Sequence, residues 1–135
     1  MIPSLEWLQN ARKAVNADPS FRKRGSIDVK MGVHAGDATY LVTFAGFSCH
    51  GIETMPRKDS RDADFVVDMS AEQWERFLSG RRGSGGRALI DIDTTDGVIK
   101  AQSPRKRLDF LRYHTSIQAF FDAGVRAVDA ATRAA

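Results

Sequence analysis

The sequence predicts one α+β domain in which helices pack against a largely antiparallel sheet. Two observations support this class. Apolar and polar residues alternate through two adjacent segments on either side of Gly36-Asp37, which is the pattern of a β-hairpin. Farther along, residues 64–80 combine an alternating strand with an amphipathic helix that follows it directly. We find no internal repeat, and we expect a single domain over residues 1–135.

The composition is that of an ordinary globular chain. Hydrophobic residues make up 42% of it and charged residues 27%, and no apolar run approaches the roughly 20 residues that span a bilayer. Cys49 is the only cysteine, which excludes an internal disulfide, and the N-terminus lacks a secretory signal pattern. We therefore expect a cytoplasmic protein. A net charge of +3 neither requires nor excludes a polyanionic partner.

The N-terminal part is predicted to form one helix and three strands. Ser4 suits the N-cap of the helix, and Asp18-Pro19 ends it. The apolar stripe of this helix consists of Leu5, Leu8, Ala11 and Val15. The basic residues 21–25 are expected to form a connector. Strands are predicted over Ile27–His34, Thr39–Phe44 and Phe47–Glu53, the last of which has the weakest alternation.

The strand and helix in residues 64–80 have the clearest local signals. The apolar positions of the strand are Phe65, Val67 and Met69. Ser70 and Gln73 have capping-box spacing, in which each side chain satisfies a free backbone N–H of the other residue. The apolar face of the helix consists of Trp74, Phe77 and Leu78. Gly80 is predicted to end the helix in the left-handed conformation.

The last part of the chain is predicted to contain a hairpin and a long helix. Leu89–Asp93 and Val98–Gln102 fit the two arms of the hairpin, although the first arm also fits a helix. Ser103 and Pro104 suit the N-cap and first position of the final helix. The stripe of that helix consists of Phe110, Tyr113, His114, Ile117, Phe120 and Phe121, with Val125 and Val128 beyond Gly124. We expect the core to span residues 5–121, with residues 122–135 as a frayed helical tail.

No sequence motif predicts catalysis or a bound metal. Residues 91–97 superficially resemble a calcium loop, but they lack the acid and glycine spacing of an EF-hand. Residues 83–88 resemble a relaxed dinucleotide fingerprint, yet they follow a helix instead of a strand. The histidines have no partner at metal-ligand spacing: His34, His50 and His114. We therefore predict no catalytic residue, no metal and no cofactor.

Basic residues occur in short clusters near element boundaries, with acidic residues interleaved. Nucleic acid is a minor hypothesis, because no aromatic-studded strand of the RNA-binding type is present. The same charges fit a CoA phosphate, an anionic membrane surface in transient contact, or a partner enzyme. The candidates for contact with an anionic head group are Arg81, Arg82 and Arg87.

Two predicted helices carry a large apolar surface. The simplest interpretation is a packed core, and the alternative is an apolar cleft between sheet and helices that accepts a ligand. The residues predicted to line that cleft are Trp74, Phe77, Leu78, Phe110, Ile117, Phe120 and Phe121.

The order of elements resembles the sterol carrier protein 2 (SCP2-like) family of small lipid-binding domains over residues 5–121. Residues 63–80 are similar to the family's Ala-Asp, apolar strand, Ser, acidic helix and Leu-x-Gly segment. Residues 97–101 look like its later Gly-Lys strand. Val98 and Ser103 depart from the family pattern, and the Gly-rich loop and Asp-rich arm replace a segment that is commonly helical.

The resemblance implies a five-stranded, mainly antiparallel sheet covered on one side by helices. It also implies an apolar tunnel for a fatty acid, a fatty acyl-CoA, a sterol or a related lipid. Such a protein binds and transfers its ligand without catalysis, alone or as an accessory subunit of an enzyme. Two alternatives stay open: a cone-shaped α+β enzyme of the ketosteroid isomerase or dehydratase type, and a protein–protein interaction module.

Overall fold

The structure of the chain, a computed structural model, describes residues 1–56, 61–83 and 86–134. Within these ranges the helices are α1 (Leu5–Ala17), α2 (Pro19–Lys23), α3 (Ala71–Gly80), α4 (Leu89–Asp96) and α5 (Pro104–Ala134). The strands are β1 (Val29–Ala35), β2 (Ala38–Ala45), β3 (Ser48–Thr54), β4 (Phe65–Met69) and β5 (Ile99–Lys100). The basic pair at 57–58 and part of the predicted glycine-rich loop lie outside the described residues.

The sheet contains five strands in the order β3-β2-β1-β4-β5. β2 pairs antiparallel with both β1 and β3, and β4 pairs antiparallel with β5. β1 and β4 are parallel neighbours, because the chain passes from the β3 edge to the other side of β1 before β4 begins. The predicted sheet is therefore confirmed as mainly antiparallel, with a parallel pair near its centre.

The predicted β1–β2 hairpin is confirmed. Ala35 pairs with Ala38 across the turn, and Gly36 has a φ of 62°, which a residue with a side chain rarely adopts. Val33 and Val42 are fully buried on the face of the sheet that the helices cover. The turn and the alternating pattern together determine which face of the hairpin enters the core.

Helix α1 has the predicted N-cap, and Leu8, Ala11 and Val15 of its predicted stripe are buried. The Ser4 hydroxyl accepts a hydrogen bond from the Trp7 N–H at 3.1 Å. Leu5, which was predicted to lie on the buried stripe, is 40% exposed, whereas Trp7 is 6% exposed. Trp7 packs against Gly124 of α5, where a Cβ would lie 2.8 Å from the indole Cζ3 atom. The contact between α1 and α5 thus depends on an aromatic residue outside the predicted stripe.

The expected connector over residues 21–25 is instead partly helical. Asp18 follows the last residue of α1 and also caps α2, because its carboxylate accepts the Ser20 N–H at 2.9 Å. Pro19 occupies the first helical position, where its missing N–H costs nothing. The short helix places Phe21 in the core, where it is 2% exposed.

The capping box of α3 is confirmed and Gly80 is its last residue, but the predicted left-handed conformation of Gly80 is wrong. The Ser70 Oγ accepts the Gln73 N–H at 3.1 Å, and the Gln73 Oε1 accepts the Ser70 N–H at 2.8 Å. The helix continues through Gly80, and Arg81 is its C-cap with φ −80° and ψ −5°. Because the Arg81 N–H donates to the Leu78 carbonyl at 3.1 Å, the last turn closes without a left-handed glycine.

The predicted hairpin over residues 89–102 is wrong, and the alternative of a helical first arm is confirmed by helix α4. Gly97 ends α4 with a φ of 62°, and only Ile99–Lys100 pairs with β4. The N-cap residue Ala88 offers no side-chain acceptor, and Gln118 of α5 accepts the Leu89 N–H at 2.8 Å instead. This helix start therefore depends on a residue far away in the sequence.

A buried carboxylate joins α4, β5 and α5. Asp93 is 5% exposed, and its Oδ1 accepts the Ile99 N–H at 2.9 Å. Its Oδ2 forms an ion pair with Arg107, which also donates to the Ile99 carbonyl at 2.9 Å. Asp93 and Arg107 both have hydrogen-bond partners, so this ion pair has a structural role in joining the three elements.

Helix α5 begins as predicted and extends the packed core past residue 121. The Lys106 N–H donates to the Ser103 hydroxyl at 3.2 Å. The helix continues through Ala134, and Val125 is 1% exposed where α5 packs on α1. At least the first turn of the predicted tail therefore belongs to the core.

Candidate functional site

The seven residues predicted to line a ligand cleft are all deeply buried. Each of them is 3% exposed or less. Four of them join two further aromatic residues in what we call the aromatic cluster, in which each ring packs on another: Trp7, Phe44, Trp74, Phe77, Phe120 and Phe121. Phe110 instead packs edge-on against Phe65 at 5.5 Å between centroids.

Phe121 lies at the centre of the aromatic cluster. Its ring centroid is 5.5 Å from those of Trp74 and Phe120 and 5.8 Å from that of Phe77. The Trp74 indole N–H donates to the His34 carbonyl at 2.7 Å, which satisfies its polar group inside the core. The interior is therefore filled by rings at normal packing distances.

A second region, which we call the α3–α4 cleft, opens between these two helices. It encloses about 240 Å³. The lining residues come from α3, from the segment before α4 and from α4 itself: Gln73, Arg76, Phe77, Gly80, Gly86, Arg87, Ile92 and Asp96. Of the residues selected from the sequence, the cleft brings together Phe77 from the apolar set and Arg87 from the arginines.

The α3–α4 cleft has an apolar floor and a charged rim. Phe77 is 3% exposed and Ile92 is 8% exposed, so both lie at the floor. On the rim, Arg76 pairs with Glu72 at 2.8 Å, and Arg87 donates to the Asp91 carbonyl at 2.9 Å. Both guanidinium groups are on exposed residues. The carboxylate of Asp96 is also on the rim and partly offsets their charge.

Two glycines bring the backbone together at one end of the α3–α4 cleft. A Cβ on Gly86 would overlap the carbonyl of Gly80, so no larger residue fits there without a shift. The Arg81 Nη1 donates to the Gly86 carbonyl at 2.9 Å and holds this approach. The segment before α4 is thereby fixed to the end of α3.

No protein-family profile matches the chain, and no curated protein matches it in sequence. Solved structures match it in fold. The crystal structure of sterol carrier protein 2 has a TM-score of 0.66 at 13% identity, over 90% of this chain and 95% of that chain. The chain has an SCP2-like fold.

A second structure with the SCP2-like fold gives a comparable match. It is the solution structure of a conserved hypothetical protein from Thermus thermophilus, described as a candidate sterol carrier protein. The TM-score is 0.67 at 13% identity, over 92% of this chain and 87% of that chain. The Asp-rich segment, which was expected to replace a helix, forms helix α4 in this chain.

The other two arginines selected from the sequence hold α3 to α5 within this SCP2-like fold. Arg81 pairs with Asp122 through two hydrogen bonds, at 2.9 Å and 3.0 Å. Hydrogen bonding to Asp122 raises the pKa of the Arg81 guanidinium, against an opposing effect of burial. Arg82 lies 3.2 Å from Asp129. Both cations thus have carboxylate partners, whereas Arg87 has uncharged ones.

Other clefts in the SCP2-like fold are more open or more polar. A shallow groove of about 510 Å³ lies between the start of α1 and the end of α5, and Trp7 is among its lining residues. The indole N–H of Trp7 is buried without a hydrogen-bond partner among the described atoms. A polar cleft of about 320 Å³ lies between α2 and α5. The first groove has no cationic lining residue. The second is lined by Arg24 and Arg126, but Asp18 and Asp122 accompany them and its surface is mainly polar.

The groups with potential chemistry lie apart from the α3–α4 cleft. His34 Nδ1 is 2.9 Å from the Thr39 hydroxyl, on the face of the sheet opposite the one that the helices cover. Burial raises the pKa of the Cys49 thiol to about 12, which suppresses the reactive thiolate. Among the described residues, no three His, Cys, Asp or Glu side chains could hold a metal ion, and no helix is long and apolar enough to cross a membrane.

Sequence reasoning selected two of the cleft residues and missed the others. Ile92 and Asp96 were missed because their segment was predicted as a strand and turn. The sequence indicated Gln73 and Gly80 only as residues at the start and the end of the predicted helix. The contact between Gly80 and Gly86 has no local signature, since it depends on how α4 packs beside α3.

Proposed function

We propose that the chain binds a hydrophobic ligand with an anionic head group and does not alter it chemically. A fatty acid or a fatty acyl-CoA fits this description better than an uncharged sterol. The observation that carries the proposal is the α3–α4 cleft in an SCP2-like fold, with Phe77 and Ile92 at its floor and Arg76 and Arg87 on its rim.

The two parts of such a ligand match the two parts of the α3–α4 cleft. Apolar burial contributes about 25 cal/mol per Å² of chain removed from water, before ordering costs are subtracted. A carboxylate or phosphate accepts charge-assisted hydrogen bonds from a guanidinium. Arg87 can turn to such an anion at low cost, because the partners it would leave are a carbonyl and a hydroxyl.

A long acyl chain requires more room than the α3–α4 cleft now offers. Its volume of about 240 Å³ is below the roughly 300–1,000 Å³ of typical ligand pockets. Rotation of Phe77 would extend the cleft towards Trp74 and Phe121, whose centroids lie 6.1 Å and 5.8 Å from its ring. We propose that the apolar residues predicted from the sequence line the enlarged cleft after such movements, with Phe77 as the first to move.

Calorimetric titration with a fatty acid below its micelle concentration tests the proposal. Arg76→Trp places a large ring over the α3–α4 cleft at an exposed position and should reduce affinity at least tenfold, a loss of about 1.4 kcal/mol. Arg22→Trp is the matched control, since Arg22 is exposed on α2 outside the cleft. Equal affinity in both variants and the wild type would rule the cleft out.

The head-group assignment needs a separate test. Arg87→Gln should weaken fatty acid binding about tenfold and leave an uncharged sterol probe unaffected, in line with a charge-assisted hydrogen bond worth roughly 1.5–3 kcal/mol. Arg22→Gln removes the same charge elsewhere and should change neither. Native mass spectrometry of the purified protein, followed by extraction, identifies any co-purified lipid. If only a sterol binds, the anionic ligand class is wrong.

A further inference from the structure

The first turns of α5 expose two leucines. Leu108 is 60% exposed, more than any other large apolar residue in the described part of the chain, and Leu111 is 41% exposed. They are three residues apart and therefore lie on one side of the helix. Arg105 and Arg112 lie one turn before and one turn after Leu108 on this exposed side. We call these four residues the Leu108 patch.

Positive charge is concentrated around the Leu108 patch. Residues 104–115 contain four cations (Arg105, Lys106, Arg107 and Arg112) and one acid (Asp109), a net of +3 that equals the net charge of the whole chain. Asp109 is half-buried and lies one turn from both patch arginines. The local charge is therefore far above the average for the surface.

The two arginines of the Leu108 patch are available for an external anion. Lys106 and Arg107 are engaged by Asp64 and Asp93 of neighbouring elements. Arg105 and Arg112 have no carboxylate within 4.0 Å among the described residues, and Arg112 lies 5.5 Å from the centroid of the Tyr113 ring. Carboxylates of the neighbouring elements thus neutralise Lys106 and Arg107 but not Arg105 and Arg112.

We infer that the Leu108 patch docks the protein on the surface of an anionic lipid bilayer. Exposed leucines flanked by arginines on one helix side match the interfacial pattern, in which apolar side chains enter the headgroup region and cations meet lipid phosphates. Each cation near such a surface strengthens binding about fivefold, and salt screens the effect. An uncharged protein partner could bury the leucines but would offer no anionic group to the arginines.

Vesicle flotation tests the charge component. Ligand-free protein should bind vesicles of equimolar phosphatidylcholine and phosphatidylserine, and bind vesicles of phosphatidylcholine alone much more weakly. Arg105→Gln with Arg112→Gln should reduce binding about thirtyfold. The control is Lys13→Gln with Arg133→Gln, which removes the same charge from exposed positions elsewhere and should leave most of the binding. Equal losses in both double variants would contradict docking through this patch.

A second pair of variants tests the apolar component. Leu108→Ser with Leu111→Ser should reduce vesicle binding about tenfold while leaving the melting temperature nearly unchanged, since both side chains are already exposed. Phe47→Ser is the control, because Phe47 is 54% exposed in the β2–β3 turn. If Phe47→Ser causes the larger loss, or if the leucine variants abolish concentration-dependent self-association instead, the inference is wrong. Neither result bears on ligand binding in the α3–α4 cleft.

Discussion

The aromatic cluster and the α3–α4 cleft are both apolar regions built on the same helix, yet only one of them offers space. In the cluster, Trp74 and Phe121 fill the interior with centroids 5.5 Å apart. In the cleft, Phe77 from the same face of α3 borders about 240 Å³ of open volume. The difference comes from what lies opposite α3: α5 contributes rings to the cluster, whereas α4 contributes Ile92 and Asp96 to the cleft.

The contrast shows that an apolar helix face does not by itself distinguish a core from a binding site. Trp74, Phe77 and Leu78 have the same periodicity, and each is nearly inaccessible. Phe77 alone of the three lines the cleft, together with Gly86, which packs against Gly80, and Ile92 of α4. Tests of the two regions therefore need to separate packing from ligand binding.

Truncation of Phe121 should have the largest effect on the free energy of unfolding. Phe121→Ala leaves a closed void in the aromatic cluster and should cost about 3–5 kcal/mol in denaturant unfolding. Phe77→Ala should cost less, about 2 kcal/mol, because the space it leaves is continuous with the cleft. Equal costs, or tighter fatty acid binding by Phe121→Ala at little cost, would mean that the cluster is itself a pocket.

Gly124→Ala tests how tightly the cluster is closed on the α1 side. The new Cβ would meet the buried Trp7 ring, and overpacking costs about 1–3 kcal/mol, whereas alanine gains about 1 kcal/mol in helix propensity. We expect a net loss of up to about 2 kcal/mol in chemical denaturation. Gly51→Ala has open space around it and should change stability little. A stabilised Gly124→Ala protein would show that the cluster is looser than the structure indicates.

The pH dependence of stability tests whether the Cys49 thiol of β3 is buried. Burial raises the pKa of the Cys49 thiol from 9.0 to about 12, so above pH 9 the unfolded chain loses this proton and the native one retains it. Stability contributed by the protonated thiol is therefore complete below pH 9 and falls by up to about 1.4 kcal/mol per pH unit above it.

Cys49→Ala should remove this part of the pH dependence when unfolding is compared between pH 8 and pH 10 by the same assay, in keeping with burial of the thiol. The difference between wild type and variant isolates the contribution of the thiol, because lysines and tyrosines that titrate in the same pH range are present in both proteins. Identical slopes in the two proteins, or rapid labelling of the native thiol, would contradict a sealed interior.

The smallest effect concerns the start of α3, which supplies one wall of the α3–α4 cleft. Ser70→Ala removes one half of the capping box and should cost about 1 kcal/mol of stability. Ser70→Thr retains the acceptor and should recover most of that loss. Amide exchange in the first turn of α3 should rise in the alanine variant only. A uniform rise across the chain would mean that the cap acts on global stability alone.

Local signals in the sequence predicted much of the fold. The Ser70–Gln73 spacing and the Gly36 turn involve residues within three positions of each other, so the sequence contains them completely. The prediction for α4 failed because the first N–H of this helix is satisfied by Gln118 and its Asp93 by Arg107, both on α5. Those partners become visible only once the helices are packed.

The candidate site was less predictable than the fold for the same reason. Phe77 and Arg87 could be selected as an apolar face and a nearby cation. Their meeting with Ile92 required α4 to be a helix, and the cleft required the close approach of Gly80 and Gly86. Size and enclosure are properties of the packed elements, and no periodicity in a single segment encodes them.

The most direct test of the α3–α4 cleft as the ligand site is amide chemical-shift mapping by NMR during titration with a fatty acid below its micelle concentration. The proposal predicts that the largest shifts occur at Gly80, Gly86 and Arg87, while the amides of β2 stay in place. If the largest shifts occur in β2 and the buried turns of α5, with none around the cleft, the proposal is contradicted and the ligand binds in the interior instead.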